Sequence, residues 1–361
     1  MKIIHTADLH IDSKMESNLS KEQAIKRRSE ILASFEGMVD YASDNDVEII
    51  LICGDMFDKL NVRKTATRAV LDIITSHPDI KFIYLRGNHD CDAFDAELME
   101  ANPGNIFLFT GDSWTSYEFG DVVITGREIN DENHTSLYSD LVLNVSKLNI
   151  VMLHGQEAMY DGPDKTHVIN IKSLRGKYID YLALGHIHSY KKERLDERGV
   201  YCYSGCLEPR GFDECGTKGF VLLETEEEGI SSEFIPFQKR TFIEKEIEIT
   251  PDMDMTAVYS LIEEETKDIS PEDLVKLVIT GFTDMERDID CPRIWDRFSD
   301  RFFFLNVYDR TRPKIDYESF AYDRTLKGSF VRLVMGLDIP EEDKGEIVET
   351  GIRAIMGEEI S

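Results

Sequence analysis

The sequence predicts an α/β protein: a four-layer αββα sandwich with a small α/β capping domain and a helical C-terminal tail. Three observations carry that prediction. The first 110 residues alternate strand-like and helix-like runs. The stretch from about residue 105 to residue 237 is rich in strands, and five short polar motifs follow apolar runs between residues 7 and 188. With 361 residues, 42% hydrophobic and 10% aromatic, the chain can bury a real core and calls for one large domain plus smaller ones.

Taken in order, "KIIHTAD" (2–8) reads as a strand. Ser20 opens a helix with Gln23 placed for a capping box, and Ile25, Ile31, Leu32, Phe35 and Val39 follow helical spacing. "VEIILIC" (47–53) is a buried strand, 63–76 a helix and "KFIYLRG" (81–87) a third strand. Eight strand-like runs follow, from "NIFLF" to "SSEFIPF", and read as a second sheet packed on the first. A break near "PFQKRTF" (236–242) precedes a smaller pattern: strand 243–249, helix 256–266, strand 273–282 and the run "RFFFLNVY" (301–308). Residues 316–357 read as two helices, 319–336 and 341–357, separated by Pro340. The resulting domains are 1–240, 241–312 and 313–361. The tryptophans Trp114 and Trp295 and the run Phe302–Phe304 read as packing residues.

Composition excludes several classes. The opening "MKIIHTADLH" is a strand rather than a charged-then-apolar leader, and no apolar run approaches membrane-spanning length. Six scattered cysteines suit a reducing cytoplasm, and Cys202, Cys206 and Cys215 match no standard zinc spacing. A net charge of −29 repels polyanions at long range, so such a substrate needs a local positive feature or a partner to draw it in. Candidate phosphate contacts are "KRR" (26–28), "RKTATR" (63–68) and Lys172, Arg175 and Lys177.

The five motifs are "ADLH" (7–10), "GDMFD" (54–58), "RGNHD" (86–90), "LHG" (153–155) and "GHIH" (185–188). Each follows an apolar strand, which places it on loops along the sheet edge where open α/β sheets bind ligands. Together they supply Asp8, His10, Asp55, Asn88, His154, His186 and His188. Mixed oxygen and imidazole donors suit Mn²⁺, Fe²⁺ or Zn²⁺ better than an all-oxygen calcium or magnesium cage. Seven donors are too many for one ion with an open position, and fit two ions about 3.5–4 Å apart. His77, His134 and His167 read as surface residues.

This series of motifs resembles the calcineurin-like metallophosphoesterase superfamily, most closely the SbcD type of DNA repair exonuclease subunit. "GDMFDK" and "GNHD" are similar to the nuclease branch, with Met56 where leucine is usual. "YSGCLEPRGFDECGTKGFVLLE" (203–224) and the C-terminal "KGSFVRLVMG…GIRAIMG" extend the resemblance over nearly the whole chain. It implies that Asp8, His10 and His188 hold one metal, Asn88, His154 and His186 the other, and Asp55 bridges them. It further implies that His89 is catalytic and Asp58 orients groups near His10 or His89. Mn²⁺ is the expected cofactor, with Fe²⁺, Zn²⁺ or Mg²⁺ as alternatives.

The resemblance also implies a DNA exonuclease, with endonuclease activity as a further expectation. The capping domain would orient DNA. The helical tail would engage the coiled coil of an ABC-type ATPase subunit (SbcC-like), a homodimer is a further expectation, and the setting is cytoplasmic. With −29 charges, the isolated chain is expected to bind DNA weakly. Two other readings compete: a small-molecule or nucleotide phosphodiesterase on the same metal core, and a scaffold or DNA-end-binding module of a repair complex.

Overall fold

The computed structural model describes residues 1–356 except 16–18, 59–61, 91, 131–132, 134–136, 159–166, 227–228, 284–288, 315–319 and 321. The chain forms two compact units, Met1–Phe242 and Ile243–Ser361. No helix among the described residues is long and apolar enough to cross a membrane.

The first unit begins with three strand–helix repeats that end in a fourth strand. These are β1 (Lys2–Thr6), α1 (Lys21–Asp44), β2 (Val47–Cys53), α2 (Lys64–Ser76), β3 (Lys81–Leu85), α3 (Asp92–Ala101) and β4 (Ile106–Leu108). The capping box on α1 is present: Ser20 Oγ accepts from Gln23 N and Gln23 Oε1 accepts from Ser20 N. Strands β1 to β4 pair in parallel, as helical crossovers require. There follow β5 (Thr115–Phe119), β6 (Val122–Gly126), β7 (Leu148–His154), β8 (Tyr181–Gly185), β9 (Lys191–Arg194), β10 (Val200–Tyr203), β11 (Gly219–Glu226) and β12 (Gly229–Pro236).

Two six-stranded sheets result, β12-β11-β1-β2-β3-β4 and β5-β6-β7-β8-β10-β9. The sequence pattern assigns β4, β11 and β12 to the second sheet; the structure places them in the first, on either side of the parallel strands. Alternation along a strand specifies its faces but not its neighbour, which explains the difference. α3 is a further element that the pattern does not announce.

Three apolar layers hold the unit together. Ile4, Ile50, Ile52, Phe82 and Tyr84 pack under α1, α2 and α3. The opposite faces of the same strands, with Ile3, Ala7, Leu51, Ile83 and Leu85, pack on Ile124, Ile150, Met152 and Ala183 of the second sheet. The outer face of the second sheet, including Leu153, Leu182 and Leu184, is covered by Leu137, Leu141, Ile169 and the short 3₁₀ turn Ile171–Leu174. Among the described residues this fourth layer is built of loops and one 3₁₀ turn rather than long helices.

The second unit contains β13 (Phe242–Ile249), α4 (Met255–Glu265), β14 (Leu274–Thr283), α5 (Cys291–Phe298), β15 (Phe304–Asp309) and β16 (Arg312–Pro313). Its sheet runs β13-β14-β15, with β16 beside β14, and Val275, Leu277, Ile279, Val258, Ile262, Ile294 and Phe298 form its core. α5 escapes the periodicity, although its Asp290 cap and following proline signal it locally. Helices α6 (Leu326–Met335) and α7 (Glu341–Met356) pack through Val331, Val334, Val348 and Ile352. The expected start at 319 is too early, because Asp323 folds a local turn onto Thr325 and Thr325 caps the helix by accepting from Gly328 N. Trp295 is 47% exposed, and its indole N–H donates to the Leu305 carbonyl.

Candidate metal centre

All five motifs lie at the C-terminal ends of strands, those of β1, β2 and β3 in one sheet and β7 and β8 in the other. The two parallel edges meet there, and four of the seven predicted ligands adopt a left-handed backbone: Asp8 (φ 53°), His10 (φ 43°), Asp55 (φ 51°) and His186 (φ 98°). Such conformations cost of order 1–3 kcal/mol each for residues with a Cβ and concentrate at functional sites. Gly54 takes φ 88°, and a Cβ there would sit 2.1 Å from His154 Nδ1. Only glycine lets the Asp55 loop pass this closely under the histidine.

The seven side chains converge in two lobes. In one, His10 Nε2 and His188 Nε2 are 3.3 Å apart, and the ligand atoms of Asp8, His10 and His188 lie within 4.8 Å of one another. In the other, Asn88 Oδ1 lies 3.0 Å from His154 Nε2 and 3.3 Å from His186 Nδ1. Asp55 Oδ2 stands between them, 3.7 Å from His10 Nε2 and 3.5 Å from His154 Nε2. Asp8 also comes within reach of the second lobe, its ligand atom grouping with those of Asp55 and His154. The pair in "GHIH" therefore splits, His186 to one lobe and His188 to the other. The turn between them is made by His186 itself.

The donor chemistry fits divalent cations. His154 Nδ1 bonds the Cys53 carbonyl at 2.8 Å, and a carbonyl only accepts, so the proton sits on Nδ1. The Nε2 lone pair then faces the Asn88 oxygen and the Asp55 carboxylate. His188 Nδ1 likewise donates to Glu214 Oε1 at 2.7 Å, which turns its Nε2 lone pair toward His10 Nε2. At His154 an acceptor thus faces acceptors, an arrangement that in a buried site calls for positive charge between them. The electrostatics also call for a cation there: burial works to lower the His154 pKa, but the Asp55 and Asp8 carboxylates raise it to about 10, so a proton takes the Nε2 position when no metal does. Burial keeps His10 neutral, well below its ordinary value, and its Nδ1 is buried without a hydrogen-bond partner. Burial opposes ionisation of Asp55 too, yet His154 and His10 hold its carboxyl well below the usual range. For Asp8 burial prevails and raises the carboxyl despite His188 and His154. With two anionic ligands, a pair of divalent ions would leave the cluster near +2, the local positive feature that the acidic chain requires.

His89 flanks the cluster. Its backbone N–H donates to Asp55 Oδ1 at 2.9 Å, its ring lies 5.3 Å from that of His10, and its side chain is 45% exposed. Asp58 Oδ1 is 3.7 Å from His89 Nδ1 and its other oxygen accepts from Ser13 Oγ at 3.1 Å. His89 in turn holds the Asp58 carboxyl down to about 2, and Asp58 raises the imidazole above its ordinary value.

Sequence reasoning missed the residues behind His188. Glu214 accepts from its Nδ1, Arg210 Nη2 donates to the same carboxylate at 2.9 Å, and the buried Lys218 Nζ donates to the His188 carbonyl at 2.7 Å. All three lie inside the 203–224 stretch, whose signal carried no role. The expectation that "KRR" contacts phosphate fails at Arg27, which is fully buried and bonded to Glu30, Glu208 and the Pro209 carbonyl. Arg63 is engaged by Asp12. His77 caps α2, as a helix-end residue should, and His134 lies outside the described residues.

A family model for calcineurin-like phosphoesterases matches residues 1–190. The chain belongs to the calcineurin-like phosphoesterase family. Members use two divalent metals, and the clustered donors of this phosphoesterase include groups that could hold such an ion. It is 27% identical over 281 residues to a protein of Bacillus subtilis called uncharacterized metallophosphoesterase YhaO, covering 73% of this chain and 67% of that one. It is 25% identical over 296 residues to the DNA double-strand break repair protein Mre11 of Methanosarcina acetivorans, covering 79% of this chain but only 46% of that one. The corresponding protein of Saccharolobus solfataricus is 23% identical over 390 residues, covering 100% of this chain and 96% of that one.

Proposed function

We propose that this phosphoesterase is a DNA nuclease subunit acting in repair, an exonuclease with Mn²⁺ as its working metal. One observation carries the reading: a complete two-lobed donor set with a half-exposed histidine at its edge, in a chain similar to proteins named for DNA double-strand break repair. Asp8, His10 and His188 would hold one ion, Asn88, His154 and His186 the other, with Asp55 shared. Bound there, two divalent ions supply Lewis acidity toward phosphate oxygens and a nucleophilic water at neutral pH. The chain's own residues supply the rest. Asp58 raises the His89 pKa and so favours its protonated form, and His89 gives a proton to the departing 3′- or 5′-oxygen. Glu214 and the Cys53 carbonyl fix the tautomers of His188 and His154, leaving their Nε2 atoms free.

The domains at 1–240, 241–312 and 313–361 would serve catalysis, DNA orientation and partner binding. Exposed Leu326, Leu333 and Ile347 on α6 and α7 support docking of the coiled coil of an ABC-type ATPase in the cytoplasm. The test is incubation of end-labelled DNA, a nucleotide monophosphate and a generic phosphodiester with Mn²⁺, Mg²⁺ or chelator. Metal-dependent degradation of DNA supports the reading. Turnover of the small esters alone favours a small-molecule enzyme, and inertness toward all three favours a scaffold.

A further inference from the structure

His5 is a fully buried histidine that lies outside the donor set. Along β1 the residues alternate: Ile4 faces the helices, while Ile3 and Ala7 face the second sheet. His5 shares the parity of Ile3 and Ala7 and enters that same inter-sheet layer. There its Nδ1 is 3.0 Å from Tyr181 Oη and its Nε2 is 3.2 Å from the Leu184 carbonyl, both on β8. The His5 and Tyr181 rings meet edge to face at 5.7 Å. Because the carbonyl only accepts, Nε2 carries the proton and Nδ1 accepts from the Tyr181 hydroxyl. Burial pushes the His5 pKa down to about 3 against the pull of the Leu184 bond, so this neutral tautomer persists at working pH.

The placement matters because β1 and β8 belong to different sheets and share no ladder. Beyond His5, β1 delivers Asp8 and His10; beyond Leu184, β8 delivers His186 and His188. The ends are in close contact. A Cβ on Gly185 would lie 1.9 Å from the Cys53 carbonyl oxygen and 2.9 Å from Ala7 Cβ. His186 N donates to both Asp8 carboxylate oxygens, at 2.9 and 3.0 Å. Apolar packing between sheets is nondirectional and tolerates small slides, whereas two hydrogen bonds from one rigid ring do not.

We propose that His5 is a positioning residue, a strut between the sheets that sets the separation of the strand ends carrying Asp8 and His10 and those carrying His186 and His188. The inference rests on the reading of those four as metal ligands. It assigns a part in metal-site geometry to a residue outside the donor set.

The test compares wild type, His5→Phe, His5→Gln and Tyr181→Phe in full-length protein stripped by chelator. Phenylalanine keeps a ring against Tyr181 and loses both hydrogen bonds. Glutamine restores an N–H donor near the position of Nε2. Mn²⁺ alone is titrated by calorimetry, and electron paramagnetic resonance reads the exchange coupling of the ion pair, which follows the distance between the ions. His5→Phe is expected to keep its circular dichroism, bind Mn²⁺ about 10–100-fold more weakly and show altered coupling. His5→Gln is expected to recover most of that loss, a rescue that a packing role alone does not predict. Should His5→Phe fail to fold, Tyr181→Phe carries the test, with a smaller weakening in the same direction. Wild type binding two ions, with unchanged affinity and coupling in the folded variants, overturns the strut alone. Wild type binding fewer than two overturns the metal reading together with it.

Discussion

Glu214→Gln probes how the second layer of residues controls one lobe of the centre. The carboxylate takes five donors: His188 Nδ1 at 2.7 Å, Arg210 Nη2 at 2.9 Å and Nε at 3.2 Å on one oxygen, and Arg210 N at 2.7 Å and Cys206 Sγ at 3.8 Å on the other. An amide cannot serve them all. With its oxygen toward His188, its NH₂ meets the Arg210 N–H; flipped, its NH₂ meets the imidazole N–H and the guanidinium. In the better orientation the His188 bond loses its charge assistance. The Arg210 guanidinium, 3.3 Å from His188 Nδ1, loses its ion-pair partner. Both losses lower the basicity of His188 Nε2, and second-layer changes of this kind cost about 10–100-fold in metal affinity. That range corresponds to about 1.4–2.7 kcal/mol. Calorimetric titration of Mn²⁺ into the chelator-treated variant should therefore show one binding event weakened by that factor. The event assigned to Asn88, His154 and His186 should stay close to wild type, because the Cys53 carbonyl anchors His154 independently. Two wild-type events, or equal weakening of both together with a lowered Tm, would refute the reasoning.

Other expectations follow from the same geometry. Asp55→Ala removes the carboxylate that faces both lobes, and elemental analysis should find fewer than two ions per chain. His89→Gln should retain both ions by the same measurement and lose about 10²–10⁴-fold in kcat, the usual worth of general acid catalysis. Asp58 raises the His89 pKa, so the protonated donor survives to higher pH and its contribution is lost as pH rises through that value. In Asp58→Asn the alkaline limb of the kcat/KM profile should accordingly move to lower pH. Glu208→Gln disturbs a buried carboxylate bonded to Arg27, Ser34 and Lys239 N. Breaking such a pair costs about 3–5 kcal/mol, which for a domain of this size lowers Tm by roughly 6–20 °C in a thermal melt.

The alternating αβ order is legible in the sequence, because burial on one helical face or on both strand faces writes a period into the residues. The sequence also singles out the seven side chains that the structure brings together, because each stands after an apolar strand in a short motif of unusual composition. His89 and Asp58 stand in the same motifs, and their expected roles come from the resemblance. Tertiary packing sets which strands share a sheet: "GFVLLET" and "SSEFIPF" carry the same alternation whether they join the first sheet or the second. The split of His186 from His188, which the resemblance implies, takes its geometry only there. The tertiary structure alone placed Glu214, Arg210 and Lys218 behind His188, since hydrogen bonds across 22 to 30 positions leave no local period. His5 is the sharpest case. In sequence it is one polar residue in an apolar strand, and its partners lie 176 and 179 positions away. Only the stacking of two sheets brings them within reach, because strand pairing reads out along a ladder and sheet packing does not.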